Sequence, residues 1–451
     1  MHGERGLKRL RKRGGRMIAA LLCACMSVCV CAGLSGCAAG KAEDSPFVPD
    51  LDKDILHFWY TDDAMTDYLT SAAVAYAEID DDIRIEPVLV SGSELLESIN
   101  DASVKKEDFP DLYLASNDIL EKAYLAGLAV ELPLSLTEET AGEGEEETEA
   151  SLLTADNFPQ AALHAVSYKG KLLAYPLYYQ TSAFLYNETY LEETGESAVP
   201  PTIKAIETFA DEHDAPEGLE SFFTWDVTDI FYNYFFVGDV LSVGGEAGDT
   251  PEKTDIYNEK AVEALRVYQE LNQFFSIDAN VVDYDDVLTD FINGKIMFTV
   301  VTTDAVKRLA EATAAGECTF AYAFCEMPAV DEGIKSRSMS VTEGVVVNGY
   351  SEYKAQAEAF AAFLATAYAG NLYDRTGKAP AYLNAPPSSD AQSAEALSVF
   401  AREYADSVPL PKMIETGSFW VELEIAFTRI WEGADADAEL KRLSERILSK
   451  F

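Results

Sequence analysis

Between residues 55 and 127 the chain alternates short β-type runs with helix-type runs, and this alternation limits its possible folds more than any other feature. ILHFWY (55–60) is an apolar, aromatic-rich run of strand length. TDDAMTDYLTSAAVAYAEI follows with apolar residues at helical spacing, and Thr61 or Asp62 suits its N-cap. IRIEPVLV (83–90) alternates as a second strand, SGSELLESINDAS (91–103) reads as a helix, and PDLYLAS (110–116) is a third strand. DILEKAYLAGLAVEL is a helix that stops near Gly127. This order needs crossover connections, which make the strands parallel and put helices on both faces. The expected fold class is α/β, with ligands at the carboxyl ends of the strands.

The remaining segments continue the theme. TEETAGEGEEETEAS (137–151) is an acidic low-complexity insert that cannot bury apolar area and reads as a surface loop. The aromatic segment FFTWDVTDIFYNYFFVGDVLSVGGEAG (222–248) precedes an amphipathic helix from Asn258 to about Phe275. DDVLTDFINGKIMFTVV (285–301) is helix, glycine turn, strand; SMSVTEGVVVNGYS is a strand broken at Glu343-Gly344. KAQAEAFAAFLATAYAG (354–370) is a helix stopped by Gly370, GKAPAYLNAPP is a turn-rich crossing, and two helices close the chain. ECTFAYAFCEMP reads as a strand carrying Cys318 and Cys325. On one strand these would lie about 23 Å apart on opposite faces, so two separate thiols are expected.

The first 36 residues have a different character. Arg5, Lys8, Arg9, Arg11, Lys12, Arg13 and Arg16 precede an apolar run from Met17 to Leu34, the build of a secretory leader or of a short membrane anchor. Leu34-Ser35-Gly36-Cys37 resembles a bacterial lipobox, which implies a diacylglycerol on Cys37, cleavage before it, and a tether over Ala38 to Pro49. Beyond the leader, 27 basic residues face 77 acidic ones, a net charge of −50. That surface repels phosphate backbones and argues against a nucleic-acid partner. Five of the seven cysteines lie in the leader or at its end, so the core must hold without a disulfide scaffold. His57, His164 and His213 do not fall in a metal-ligand spacing, and no phosphate loop or nucleophile elbow occurs. Neither a metal nor a cofactor is expected.

Five phrases, in order, resemble the extracellular solute-binding proteins of carbohydrate ABC transporters, the family that includes maltose-binding protein. They are FPDLYLASNDILEKAYLAGLAVEL, GKLLAYPLYYQTSAFLYNETYLEETG, FINGKIMFTVVTTDAVKRL, MSVTEGVVVNGYSEYKAQAEAFAAFL with LYDRTGKAPAY, and GSFWVELEIAFTRIWEGADADAELKRLSERI. The chain departs from the family in its acidic insert, and in Val345 and Val346, where the family often carries an aromatic. The resemblance implies a two-lobed periplasmic-binding-protein fold of class II type, each lobe a helix-flanked sheet. Three crossings at Tyr178–Ser182, Ser340–Gly344 and about Pro380–Pro387 would join lobe I (51–180 and 345–383) to lobe II (181–344 and 384–451). It also implies a monomer that closes over a carbohydrate, performs no chemistry, and passes its ligand to permease subunits.

A sugar site needs aromatic planes for the C–H faces and carboxylates or amides for the hydroxyls. Tyr60, Asp62 and Asp63 follow the first strand, and Asn117 and Asp118 follow the third. Trp225, Asp226, Tyr232 and Tyr234 occupy the aromatic segment, and Glu343 lies in the second crossing. Gln180 stands where the family places a polar sugar contact, and Trp420 where the resemblance implies a stacking tryptophan. Plainer readings stand beside these. Asp62 and Asp118 also suit N-caps, one of Tyr232 and Tyr234 turns inward if the segment is helical, and Phe58, Trp59 and Trp431 read as core. An exported glycosidase, with paired carboxylates, and a sensor or scaffold lipoprotein are the rival functions.

Overall fold

The computed structural model describes residues 53–133 and 152–450. The leader, Cys37, the tether and the insert 137–151 lie outside the described residues. The expected opening is present: β1 (Asp54–Tyr60), β2 (Ile83–Leu89) and β3 (Leu112–Ser116) are parallel, with β1 between the other two. Pro87 is tolerated because β2 is an edge strand. Leu56, Phe58 and Tyr60 alternate inward and are almost fully buried, as a strand with one covered face requires. Asp62 caps the turn after β1 by accepting from the Ala64 N–H at 3.0 Å.

The later strands are β4 (Tyr175–Asn187), β5 (Ser221–Phe223), β6 (Ile296–Thr302), β7 (Tyr322–Cys325) and β8 (Met339–Val347). The sheet runs β2-β1-β3-β8-β4-β6-β5, with β7 also on β4. Its decisive feature is a change of partner along β4. Tyr175–Thr181 pair with β8, whereas Ser182–Tyr186 pair with β6. In β8, Glu343–Val347 pair with β3, and Met339 and Ser340 pair with Val408 and Pro409. A third, short connection pairs Ala379 and Pro380 with Tyr179 and Tyr178. The fold is thus two lobes, each a helix-flanked sheet; one buried cluster lies within the second lobe, and the other runs from the first across the junction to Leu309 and Tyr322.

The back of this junction is sealed by the helix Ala391–Asp406. Tyr404 stacks flat on Tyr179 (centroids 3.9 Å apart, planes 1° apart), and its hydroxyl lies 2.7 Å from Thr342 Oγ1. Ser407 Oγ donates to Ser340 Oγ at 2.7 Å on the same side.

Three expectations are corrected. The helix after β8 spans Lys354–Ala365 and ends before Gly370, which lies in a following short turn of 3-10 helix. Three helices close the chain, Ala391–Asp406, Phe419–Trp431 and Ala436–Leu448. The strand predicted around both cysteines is only β7, so Cys318 lies outside it. Both thiols are free, and burial raises each above its ordinary value, with Cys325 pushed up to about 12. An alkylating reagent at pH 8 should therefore leave both unlabelled in the folded chain and label both after unfolding without reductant. A linked 318–325 peptide in the mass map would contradict this.

Candidate functional site

The front face of the junction follows from strand register. Tyr178 pairs with Glu343, and Glu343 with Ser116, so the three side chains share one face of the sheet. Gln180, two residues on, shares that face and is exposed. Pro176 pairs with Gly344 and Tyr178 with Glu343, which leaves Leu177 as the extra residue of a bulge. The bulge sits where the sequence breaks at Glu343-Gly344. A Cβ on Gly344 would lie 2.8 Å from that of Ala174, so the close approach of the strands requires glycine there.

Charged groups converge on this face. Asp62 Oδ2 lies 2.7 Å from Lys378 Nζ, and Lys378 sits 5.6 Å from the centre of the Tyr178 ring. Ser116 Oγ donates to Asp118. Glu343 is pushed up to about 7, first by burial and then by the charges of Asp118 and Asp62, against which Lys378 pulls. Burial also holds the Tyr178 hydroxyl above its ordinary value, with Glu343 and Asp62 adding to it.

The facing wall belongs to the helix Asp304–Ala315. Thr303, Asp304, Lys307, Arg308 and Glu311 line a cavity of about 190 Å³ with Tyr178, Gln180 and Lys378. Arg308 is fixed by Asp285 at 2.6 Å and Asp304 at 3.5 Å. Tyr284 donates to Asp304 at 2.9 Å and carries Tyr232 stacked on its ring at 4.6 Å. A cavity of about 260 Å³ lies behind the crossing strands, lined by Tyr179, Tyr404 and several prolines and alanines; it meets the back of the junction.

The predicted residues divide into two sets. Asp62, Asp118, Gln180 and Glu343 come together at the junction, and Asp63 is exposed beside Asp62. Most of the others are held in packing. Tyr60 is 2 % exposed and donates to Thr66 Oγ1 at 3.0 Å. Asn117 is buried, donating to the Leu410 carbonyl at 2.7 Å and accepting from the Thr342 N–H at 3.0 Å, so it ties the crossing rather than facing it. Trp225 is fully buried, stacked on Phe223 at 4.3 Å, with its N–H on Asn233 Oδ1. Asp226 is buried and accepts from Thr228 and Asp229, stabilising a turn. Tyr234 is buried edge-on to Trp420, which is half-buried, packs on Phe419 and does not line this cavity. Tyr232 is half-buried under Tyr284. Aromatic abundance marked a core here, because no periodicity separates ligand-facing from core-facing rings in irregular backbone.

Sequence reading missed Tyr178, Lys378, Asp304, Lys307, Arg308 and Lys412. The first two stand in the predicted crossings, and register alone would have put Tyr178 on the Gln180 face. Nothing in the sequence marked Lys412. It is fully buried and donates to the carbonyls of His164 (3.0 Å) and Ala247. Glu121 accepts from Tyr168 and from the Ile414 N–H, and Asp249 from the Lys169 N–H. Burial pushes the Lys412 ammonium down to about 7 against the pull of Asp249 and Glu121. This network joins Glu121 and residues 164–169 to residues 247–249 and 412–414 beside the junction.

Residues 62–370 match the family model of the bacterial extracellular solute-binding proteins, and the chain belongs to that family. The extracellular solute-binding protein from Staphylococcus aureus, solved in complex with maltose, is similar in fold, with a TM-score of 0.72 and 19 % identity over 88 % of this chain and 97 % of that one. A cyclo/maltodextrin-binding protein complexed with maltotetraose gives 0.72 and 18 % over the same shares. The maltose-binding periplasmic protein from Listeria monocytogenes, in complex with maltose, gives 0.69 and 19 % over 88 % and 98 %. A comparison with curated protein sequences returns no match. Among the described residues no helix is long and apolar enough to cross a membrane.

The Glu343 environment has a consequence for stability. With its folded pKa raised from 4.5 to about 7, the native state holds more protons than the unfolded chain between those values. Stability therefore falls as pH rises through that window. Glu343→Gln should leave the melting temperature unchanged near pH 4 and raise stability at pH 8 by on the order of 2 kcal/mol, a figure reduced for partial exposure. A variant that melts below wild type at pH 8 would show that the charged form is net stabilised where it sits.

Proposed function

We propose that the mature protein is a lipid-anchored extracellular solute-binding protein that captures a carbohydrate between its lobes and delivers it to the permease subunits of an ABC transporter. One observation carries the reading. Asp62, Asp118, Gln180 and Glu343, from four distant segments, gather at the junction of the two lobes. Carboxylates and an amide in that position accept sugar hydroxyls, and the helix Asp304–Ala315 faces them across the cavity as a second wall for one ligand. The maltose and maltotetraose complexes of similarly folded proteins support a sugar as the class of ligand.

In this reading the lobes are residues 51–180 with 345–383 and residues 181–344 with 384–451, and they turn about the point where β4 changes partner. Trp420, half-buried at the start of its helix, offers one ring face to the ligand. Cys37 carries the lipid, the segment to Pro49 is the tether, and the protein works as a monomer without metal, cofactor or nucleic acid. Its carboxylates bind and do not react.

Calorimetry against neutral glycans, maltose and maltotetraose first, tests this. Burying one ring face against a sugar contributes about 1–2 kcal/mol, so Trp420→Ala should weaken binding roughly 5- to 30-fold and leave the melting curve nearly unchanged. Loss of several kcal/mol of stability with normal binding by the folded fraction would assign Trp420 to the core. Silence from every glycan, neutral or charged, would favour the sensor or scaffold alternative, and release of shortened sugars would favour the glycosidase.

A further inference from the structure

The cavity is unusual for so acidic a chain. Of the 27 basic residues beyond the leader, Lys307, Arg308 and Lys378 all line it. Two are committed: Arg308 to Asp285 and Asp304, and Lys378 to Asp62. Lys307 is half-buried, and among the described residues no carboxylate pairs with its ammonium. Its stem is held in place from the other side of the cavity. A Cβ on Gly377 would lie 2.8 Å from Lys307 Cδ, so the side chain rests on the turn that leads to Lys378. The aromatic residues of the lining offer little flat surface, since Tyr178 and Tyr179 are only 8 % and 4 % exposed.

A half-buried ammonium without a counter-ion loses hydration when a ligand covers it, and an anion brought by the ligand restores more of that free energy than a neutral hydroxyl does. We propose that the saccharide captured here bears an anionic substituent, a carboxylate or a sulfate, that pairs with Lys307 Nζ. The Asp62, Asp118 and Glu343 side of the site takes the hydroxyls. This rests on the carbohydrate reading and narrows it to acidic sugars.

Calorimetry on the mature protein with trigalacturonate, its methyl ester, a sulfated galactan tetrasaccharide, its desulfated form and maltotriose separates the cases. At least one acidic probe should bind tenfold or more tighter than its neutral counterpart, and its affinity should fall as salt rises. The difference between the galacturonate and sulfate arms identifies the substituent. Lys307→Gln should weaken the acidic probe about 10- to 100-fold, the range for a hydrogen bond to a charged group, and weaken its neutral counterpart by a much smaller factor. Lys307→Arg should restore most of the loss. Binding of neutral probes as tight as acidic ones, or an unchanged acidic affinity in Lys307→Gln, overturns the proposal and leaves the carbohydrate reading intact. No heat from any probe overturns both.

Discussion

The structure depends on one strand that changes partner. Between Thr181 and Ser182, β4 leaves the hydrogen bonds of β8 for those of β6, so one continuous backbone belongs to two sheets. Two buried clusters pack against it, one of them continuous across the junction from Leu56 to Leu309. Such a junction bends with small changes in a few dihedrals, because each lobe keeps its own ladder of hydrogen bonds. It must also be braced. Asn117 holds the Thr342 N–H and the Leu410 carbonyl, and Tyr404 covers the back by stacking on Tyr179. The same two strands present Tyr178, Gln180 and Glu343 to the front, so hinge and site are one piece of backbone.

Charge is managed locally on a chain that is acidic overall. The three carboxylates at the front, Asp62, Asp118 and Glu343, face one lysine, and the imbalance shows in Glu343, which is held near neutrality. The opposite case occurs at Lys412, a fully buried ammonium with carbonyl acceptors from two segments and Glu121 and Asp249 nearby. A buried cation is tolerated only when its hydrogen bonds are met and opposite charge is near. Lys412 meets both conditions by drawing together residues that lie far apart in sequence.

Much of the fold was legible because period and punctuation agree. The alternation in β1 and β2, the cap at Asp62, the stop at Gly127 and the break at Glu343-Gly344 each state a local geometry that the tertiary structure keeps. The candidate site was legible where it lies on strand ends and crossings, as at Asp62, Gln180 and Glu343, which the fold brings together. It was not legible in the segment 222–248, where short turns replace regular elements. There Trp225 and Tyr234 serve the core, and aromatic composition pointed the wrong way. Lys307 and Arg308 escaped notice because they stand on an ordinary amphipathic helix. Only the close approach of Gly377 and Lys378 gives that helix face a purpose.

The central claim is that two lobes close on a ligand about the β4 junction. Small-angle X-ray scattering of the mature protein, titrated with whichever glycan gives calorimetric heat, tests it most directly. The account predicts that the radius of gyration falls on binding and saturates with the calorimetric isotherm. Saturating ligand with no change in the scattering curve would contradict closure about this junction.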